Sequence, residues 1–483
     1  MKITMLQETS FHYFVIVFSI FFLTLLLMET TLTISYSQPI ENSMMASKEG
    51  TSLNSYNINL AQNNTNEVKS SPLKQTTQGV FFSEVECKTG NVLLIKSNQN
   101  SSACTTPQTA KKLIARSWGI SSTTIMLSPS NEIKVESLVQ QTVTKCKTKI
   151  DCVIDSIKKV ADNEKKIITL RTYGGIIGWY EESLGYCHGF GHRLGMFLYD
   201  YIDDLPETLF YADQRCGSSQ FHGAVEKSFQ KNFNGTDPEK IDIRSICPET
   251  FDNPYSVDRW ACLHGMGHGL TQSYNYDIFS AVIRCEELDL GWEEVSCAKG
   301  LFMENVGEFL RSEGGTFDEA DIFFPCNEID LKYAPACYHY HTSYIRSQPD
   351  YTVDGAFKTC DMIEPKELVK YCYYGMGRIN AVNSFDNYEK AVKFCKKGDA
   401  NYQKYCFTGL LLSLVKNRGT EQGFEYCQFL PSEFKVDCYT GIGKWIIMLH
   451  PSDESREKEC SKAENLEFSK VCINASLDNI VLL

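Results

Sequence analysis

The chain lacks the basic surplus that a nucleic-acid surface requires. Its formal charge is −13 at pH 7, so a phosphate backbone would be repelled rather than neutralised, and general nucleic-acid binding is excluded. It also lacks the His-Glu-x-x-His word of zincin-type peptidases and the Cys-x-x-Cys-His word that attaches haem covalently. One strongly apolar run is present, Phe14 to Met28, and the only charged residues before it are Lys2 and Glu8. At the very start of a chain it reads as a signal peptide or an N-terminal anchor, assigned here to residues 1–36. The run is short for a full bilayer span, and no cysteine follows closely enough to suggest a lipoprotein.

What the chain does have is cysteine. Twenty cysteines, an even count at regular spacing, predict a disulfide framework made in an oxidising compartment. With the apolar N-terminus this predicts an exported protein, secreted or extracellular, and membrane-anchored at the cell surface if the run is retained. Asn63-Asn64-Thr65, Asn234-Gly235-Thr236 and Asn474-Ala475-Ser476 fit the glycosylation pattern and add minor support. Residues 37–79 are rich in Asn, Ser, Gln, Thr and Lys, with few large apolar groups, and read as a disordered linker.

Residues 80–120 form a small α+β module. Phe81 to Cys87 and Asn91 to Lys96 read as two short strands, and Pro107 to Trp118 as a helix with proline near its first turn. A Cys87–Cys104 bridge would staple a unit too small to bury much alone. The pattern Cys87, aliphatic hairpin to Lys96, Ser102-Ala103-Cys104, Pro107, Thr109-Ala110, Leu113 and Arg116-Ser117-Trp118 resembles a module of exported proteins from ammonia-oxidising archaea. Ser117 departs from the Arg-Gly-Trp ending more usual there. The resemblance spans about 35 residues and implies lineage and export, not chemistry.

From residue 133 to the end the sequence repeats itself. Around Cys262-Leu263-His264-Gly265-Met266-Gly267-His268, equivalents of His264 fall at His188, His222, Lys299, His339, Tyr374, Thr408, Thr440 and Asn474, in steps of 32 to 42 residues. A small residue follows every anchor but His339, and from His264 onward a cysteine stands two residues before each. Such a period signals a repeat architecture. Each unit reads as one helix ending in Cys, a loop, and an apolar inner helix opening with Cys. Local pairing joins 247–262, 285–297, 326–337, 360–372, 395–406, 427–438 and 460–472; Cys187 with Cys216 and Cys146 with Cys152 complete the set in the region where other connectivities remain open. The predicted fold is all-α: about nine disulfide-clipped helical hairpins in an α-solenoid or curled α/α toroid. Glycine pairs such as Gly265/Gly267 lie inside inner helices, serving either close helix approach or ligand space.

Seven of the nine histidines lie in these motifs, all in the first five units. His188/His192, His264/His268 and His222/Glu226 are spaced by four, which puts each pair on one helix face. Neighbouring inner helices ~8–10 Å apart can share an ion at ~2.1 Å bonds. His188, His192, His222 and Glu226 are therefore one candidate site, and His264 and His268 with His222 or Glu226 a second. His339 joins them only if the superhelix curls tightly, and His341 points elsewhere. Glu304 and Glu308 lie one residue off register and read as facing solvent or a loop. Beyond His339 the anchors carry no ligand set, but Tyr374 and Arg378 are placed to hold an anionic substrate group, and Glu226 is the candidate catalytic carboxylate. The donor set suits zinc, copper or iron. The predicted function is a metal-dependent protein with its centre on the inner helices, an enzyme on an unknown small molecule. The alternatives are a metal or haem binder without turnover, and a cell-surface interaction solenoid whose histidines are buried singly.

Overall fold

The structure, a computed structural model, describes residues 70–477 apart from 98–100, 122, 124–126, 185–186, 213, 248–254, 313, 386 and 451. The proposed signal segment lies outside the described residues. Ten disulfides form: Cys87–Cys104 and the regular clips from Cys247–Cys262 to Cys460–Cys472 join the expected partners, and Cys146–Cys152 with Cys187–Cys216 is the connectivity found where the sequence left others open. From Cys285 onward each bridge closes a loop of 11 or 12 residues, a constraint worth roughly 2–4 kcal/mol apiece.

Nine inner helices carry the anchors: His188–Ile202, Ser219–Asn232, Val257–Ser273, Gly291–Ser312, Ala334–Ser347, Val369–Asn380, Gln403–Arg418, Ser432–Leu449 and Leu466–Leu477. Each packs along the next, and together they form one apolar core with the outer arms. Most outer arms are short helices begun by a capping side chain. Asp204, Asp277, Thr352, Asn387 and Ser452 each accept a hydrogen bond from the amide three residues on.

Two units depart from the hairpin pattern. Before His264 the outer arm is two 3-10 turns, Pro238–Lys240 and Ile243–Ser245. Before His339 it is a run of turns, in which Asp318, Asp321 and Asp330 accept from the amides of Ala320, Phe323 and Lys332. Such local bonds compete with the helical ladder.

The stack curls back on itself. Lys416, on the seventh inner helix, lies 4.3 Å from the ring of Trp260 on the third, and Trp445 on the eighth is 6.0 Å from the same ring. The inner faces of early and late units therefore meet.

The small module is a three-stranded antiparallel sheet, β1 Val92–Lys96, β2 Ser102–Thr105 and β3 Gly119–Ser121, in the order β2-β1-β3, with helix Pro107–Ala115. The expected strand at 81–87 is instead a 3-10 turn, Phe82–Glu84. Gln75, from helix Pro72–Thr77, takes both backbone groups of Glu86 with its amide (2.8 and 2.9 Å), so those groups are not available to a ladder. Lys111 of the module pairs with Asp258 on the His264 helix at 3.3 Å.

Membrane anchoring, and the cell-surface placement built on it, is corrected. Among the described residues no helix is long and apolar enough to cross a membrane. The longest, Gly291–Ser312, carries Glu293, Glu294, Lys299, Glu304, Glu308 and Arg311, each costly in hydrocarbon.

Candidate metal centre

Glycine brings the histidines together. A Cβ on Gly223 would lie 1.9 Å from the His192 carbonyl oxygen, and one on Gly300 1.8 Å from that of His264; on Gly265 it would lie 2.8 Å from the His222 Cα. Close approach, not ligand space, is what these glycines provide: adjacent inner helices touch backbone to backbone. The residue before Gly223 and the residue before Gly265 are both histidines, so the same contact presses their rings together.

The result is a packed group of five imidazoles from three helices. Ring centroids are 5.0 Å apart for His188/His192, 5.3 Å for His188/His222 and 5.1 Å for both His192/His222 and His192/His268. His222 lies 4.6 Å from His264 and 5.7 Å from His268, which are 5.2 Å from each other. Two triads, His188/His192/His222 and His222/His264/His268, each present three nitrogens within 4.8 Å of one another. A tetrahedral ion with bonds of about 2.1 Å wants its ligand atoms roughly 3.4 Å apart, so small side-chain rotations close either triad on an ion. His222 belongs to both.

The outer partners are carboxylates. His268 Nδ1 lies 2.8 Å from Glu304 Oε2, and His192 Nδ1 lies 3.5 Å from Glu226 Oε2 while its Nε2 lies 3.3 Å from His222 Nδ1. Gln272 donates to both carboxylates, at 2.7 Å to Glu226 and 3.1 Å to Glu304. Arg311 adds a 2.7 Å bond to Glu304. Carboxylate-backed histidines of this kind are oriented and made more basic as ligands. His222 Nε2, His264 Nδ1 and His268 Nε2 are buried with no hydrogen-bond partner, a state that costs stability unless something else binds them.

Protonation states favour coordination. Burial drives the His188, His222 and His264 imidazoles well below their ordinary range, and neighbouring imidazoles and Lys416 push the same way. His192 is lowered by burial too, against the opposing pull of Glu226. Burial would raise the Glu304 carboxyl, but the His268 hydrogen bond and the charges around it hold it well below the usual carboxylate range. His188, His192, His222 and His264 are thus held as neutral imidazoles, with an ionised carboxylate behind the cluster, the forms in which these groups bind metal.

Of the other residues singled out by sequence, Glu226 stands behind His192 and outside both triads. His339 is not in the cluster: it packs against Tyr374 at 4.8 Å and Tyr340 at 4.6 Å. Arg378 lies over the Tyr340 ring at 4.7 Å and donates to Ser343 at 3.0 Å, so His339, Tyr374 and Arg378 form a neighbouring group. His341 turns away to the Ile322 carbonyl, 2.6 Å from its Nε2.

Sequence reading missed Glu304, expected at a solvent or loop position and found buried at 3% exposure against His268. It also missed Trp260, whose ring stacks on His264 at 5.1 Å, and Lys416. The available signal was a longer ladder of four-residue steps, Trp260-His264-His268-Gln272 and Thr408-Leu412-Lys416. No family model matches the chain, and neither a curated protein nor a solved structure is significantly similar to it. The functional reading therefore rests on the chain's own chemistry.

Proposed function

We propose that the five imidazoles hold one transition-metal ion and that this ion serves an enzymatic reaction on a small molecule. The observation that carries the reading is the pair of triads sharing His222, backed by Glu226 and Glu304. A three-imidazole set leaves a tetrahedral ion one open position, the feature that separates catalytic from structural zinc-type sites. Zinc, copper and iron all suit the donors. Glu226 orients His192 and is the carboxylate for proton transfer. A second ion would need His222 to bridge as an imidazolate, so the expected stoichiometry is one per chain.

Rival readings fare less well. Singly buried structural histidines would stand apart, whereas each of these rings lies 4.6 to 5.7 Å from at least two others. Haem does not fit: its macrocycle would have to thread between imidazoles already in contact with each other, with Trp260 and with Met303 (3.3 Å from His264 Nε2).

Elemental analysis of folded, disulfide-intact protein, reconstituted with zinc, copper or iron, tests the metal. One equivalent is expected in the wild type and none in a His222→Ala, His264→Ala variant, which leaves neither triad intact. No stoichiometric metal in the wild type under any of the three would end the reading. Catalysis is tested with cobalt-substituted protein, whose visible spectrum should change on adding free imidazole if a position is open; an unchanged spectrum would leave a saturated, non-catalytic ion.

A further inference from the structure

Beside the histidines lies a second cluster, and its charge is uniformly positive. Lys416 Nζ sits 4.3 Å above the Trp260 ring, and Trp260 stacks on His264. On the other flank, Arg378 lies over Tyr340, whose ring is 6.2 Å from His264. Arg378 and Lys416 thus bracket His264 through one aromatic ring each. Lys299, the anchor of the fourth inner helix, is buried at 8% exposure. Lys299, Arg378 and Lys416 all bear on the buried His339. The charged groups acting on Lys416 are Arg378 and Lys299, both cations, and among the described residues no ion pair joins Lys416 to a carboxylate.

Gathering three cations on one inner wall is expensive. Each loses hydration, and each repels the others in a medium that screens poorly. Burial lowers the Lys299 ammonium to about 8, and burial with the two neighbouring cations lowers Lys416 to about 7. The repeat itself does not require cations at these places: units elsewhere hold Thr408 or Asn474 where Lys299 stands, Met303 or Leu412 where Arg378 stands, and Val382 or Met448 where Lys416 stands. A bound oxyanion would compensate Lys416, with the Arg378 guanidinium fork and the Lys299 ammonium as further donors and Trp260 and Tyr340 as its apolar walls.

We infer that Lys299, Arg378 and Lys416, with Tyr374 and His339 beside them, form an anion subsite that holds a carboxylate or phosphate group of the substrate next to His264. The inference deepens the metal-centre reading but is tested apart from it. Calorimetric titration of the full chain, both metal-loaded and chelator-treated, uses two probes, inorganic phosphate and malonate. Saturable binding of either is expected in both metal states, and the preferred probe shows whether the group is a phosphate or a carboxylate. Lys416→Met and Arg378→Met should each weaken it about tenfold or more while metal content stays at the wild-type value.

Thermal unfolding of the same variants excludes a merely structural role. With no anion present, Lys416→Met should unfold at the same or a higher temperature than wild type, because an unpaired cation has been removed; with phosphate or malonate it should lose the ligand-induced shift. A lowered transition with the ligand shift retained would overturn the subsite. So would absence of binding in both metal states, or binding seen only with metal and unaffected by either variant, which would place the anion on the ion. Anion binding in a wild type that takes up no metal would sustain the subsite and defeat the metal reading alone.

Discussion

The first five inner helices and the last four are built alike and equipped differently. Gly223 meets the His192 carbonyl at 1.9 Å and Gly409 meets the Tyr374 carbonyl at 2.0 Å from an added Cβ. The clips are equally regular, Cys285–Cys297 spanning 12 residues and Cys460–Cys472 also 12. Yet imidazoles fill four of the five early anchors, with Lys299 at the other, and tyrosine, threonine and asparagine fill the late ones. The comparison separates frame from site: bridges and glycines set how closely inner helices pack, and the anchor residue decides what that closeness is used for. The late units still contribute, since the curl returns Lys416 and Trp445 to Trp260.

The sharpest way to break the comparison is to disturb the frame in both halves. Gly223→Ala and Gly409→Ala each place a methyl inside a neighbouring carbonyl, so each should lose about 3 kcal/mol or more, at the upper end of overpacking costs. If the frame is shared, chemical denaturation should show similar losses. Metal content of the folded fraction should fall only for Gly223→Ala, because only there do the separated helices carry ligands. A much smaller loss at Gly409 would mean that the late units are more loosely held and the likeness is one of sequence only.

Next in size is the loss of one shared ligand. His222→Ala removes a member of both triads and should abolish stoichiometric metal, whereas Thr408→Ala, at the same anchor five units on, should leave it unchanged. Elemental analysis reads both. Retention of one full equivalent by His222→Ala would show that the ion does not depend on the shared imidazole.

Much of this frame was legible in the residues themselves. Regular cysteine spacing implied the six bridges from Cys285 onward, because a clip of 11 or 12 residues is satisfied by its own hairpin without knowledge of the rest of the fold, whereas it left the partners of Cys146, Cys152, Cys187 and Cys216 open. Four-residue spacing put His188 over His192 and His264 over His268. What spacing cannot carry is rotation between helices. Glu304 is one residue off the anchor register, yet across the packed helices its carboxylate reaches His268. Nor can spacing carry superhelical curl, which alone decides that Lys416 reaches Trp260 and that His339 joins the cations rather than the imidazoles. The failed strand at 81–87 has a local cause of the same kind, a side chain, Gln75, taking the backbone bonds of Glu86.

A smaller effect should come from the outer partners, within a single helix. Glu304→Gln replaces the carboxylate behind His268 and should weaken metal affinity by about 10- to 100-fold. Glu308→Gln, one turn on and more exposed, should change it little. Competition against a chromophoric chelator measures both, and equal affinities for the two variants would show that Glu304 serves packing alone.

The least effect, and one that tests the asymmetry without touching a ligand, is the response to acid. His341 is buried away from the cluster, and burial lowers its imidazole to about 4, the Ile322 hydrogen bond partly opposing. In the unfolded chain it returns to about 6.5. Between those values the unfolded state binds a proton that the native state does not. The neutral buried histidine therefore contributes stability that is complete above about pH 6.5 and lost as pH falls toward 4. The late units hold one histidine, His450, so acid sensitivity should belong to the early ones. Hydrogen exchange followed by mass spectrometry from pH 7 to 4 should show protection falling first in 188–347, with 403–477 following at lower pH. His341→Gln, whose amide can still donate to Ile322, should move the early transition down by about a few tenths of a pH unit and leave the late one in place. Simultaneous loss of protection in both halves would instead mean that the bridges and shared core couple all nine helices into one cooperative unit, in which the placement of histidines matters for metal and not for stability.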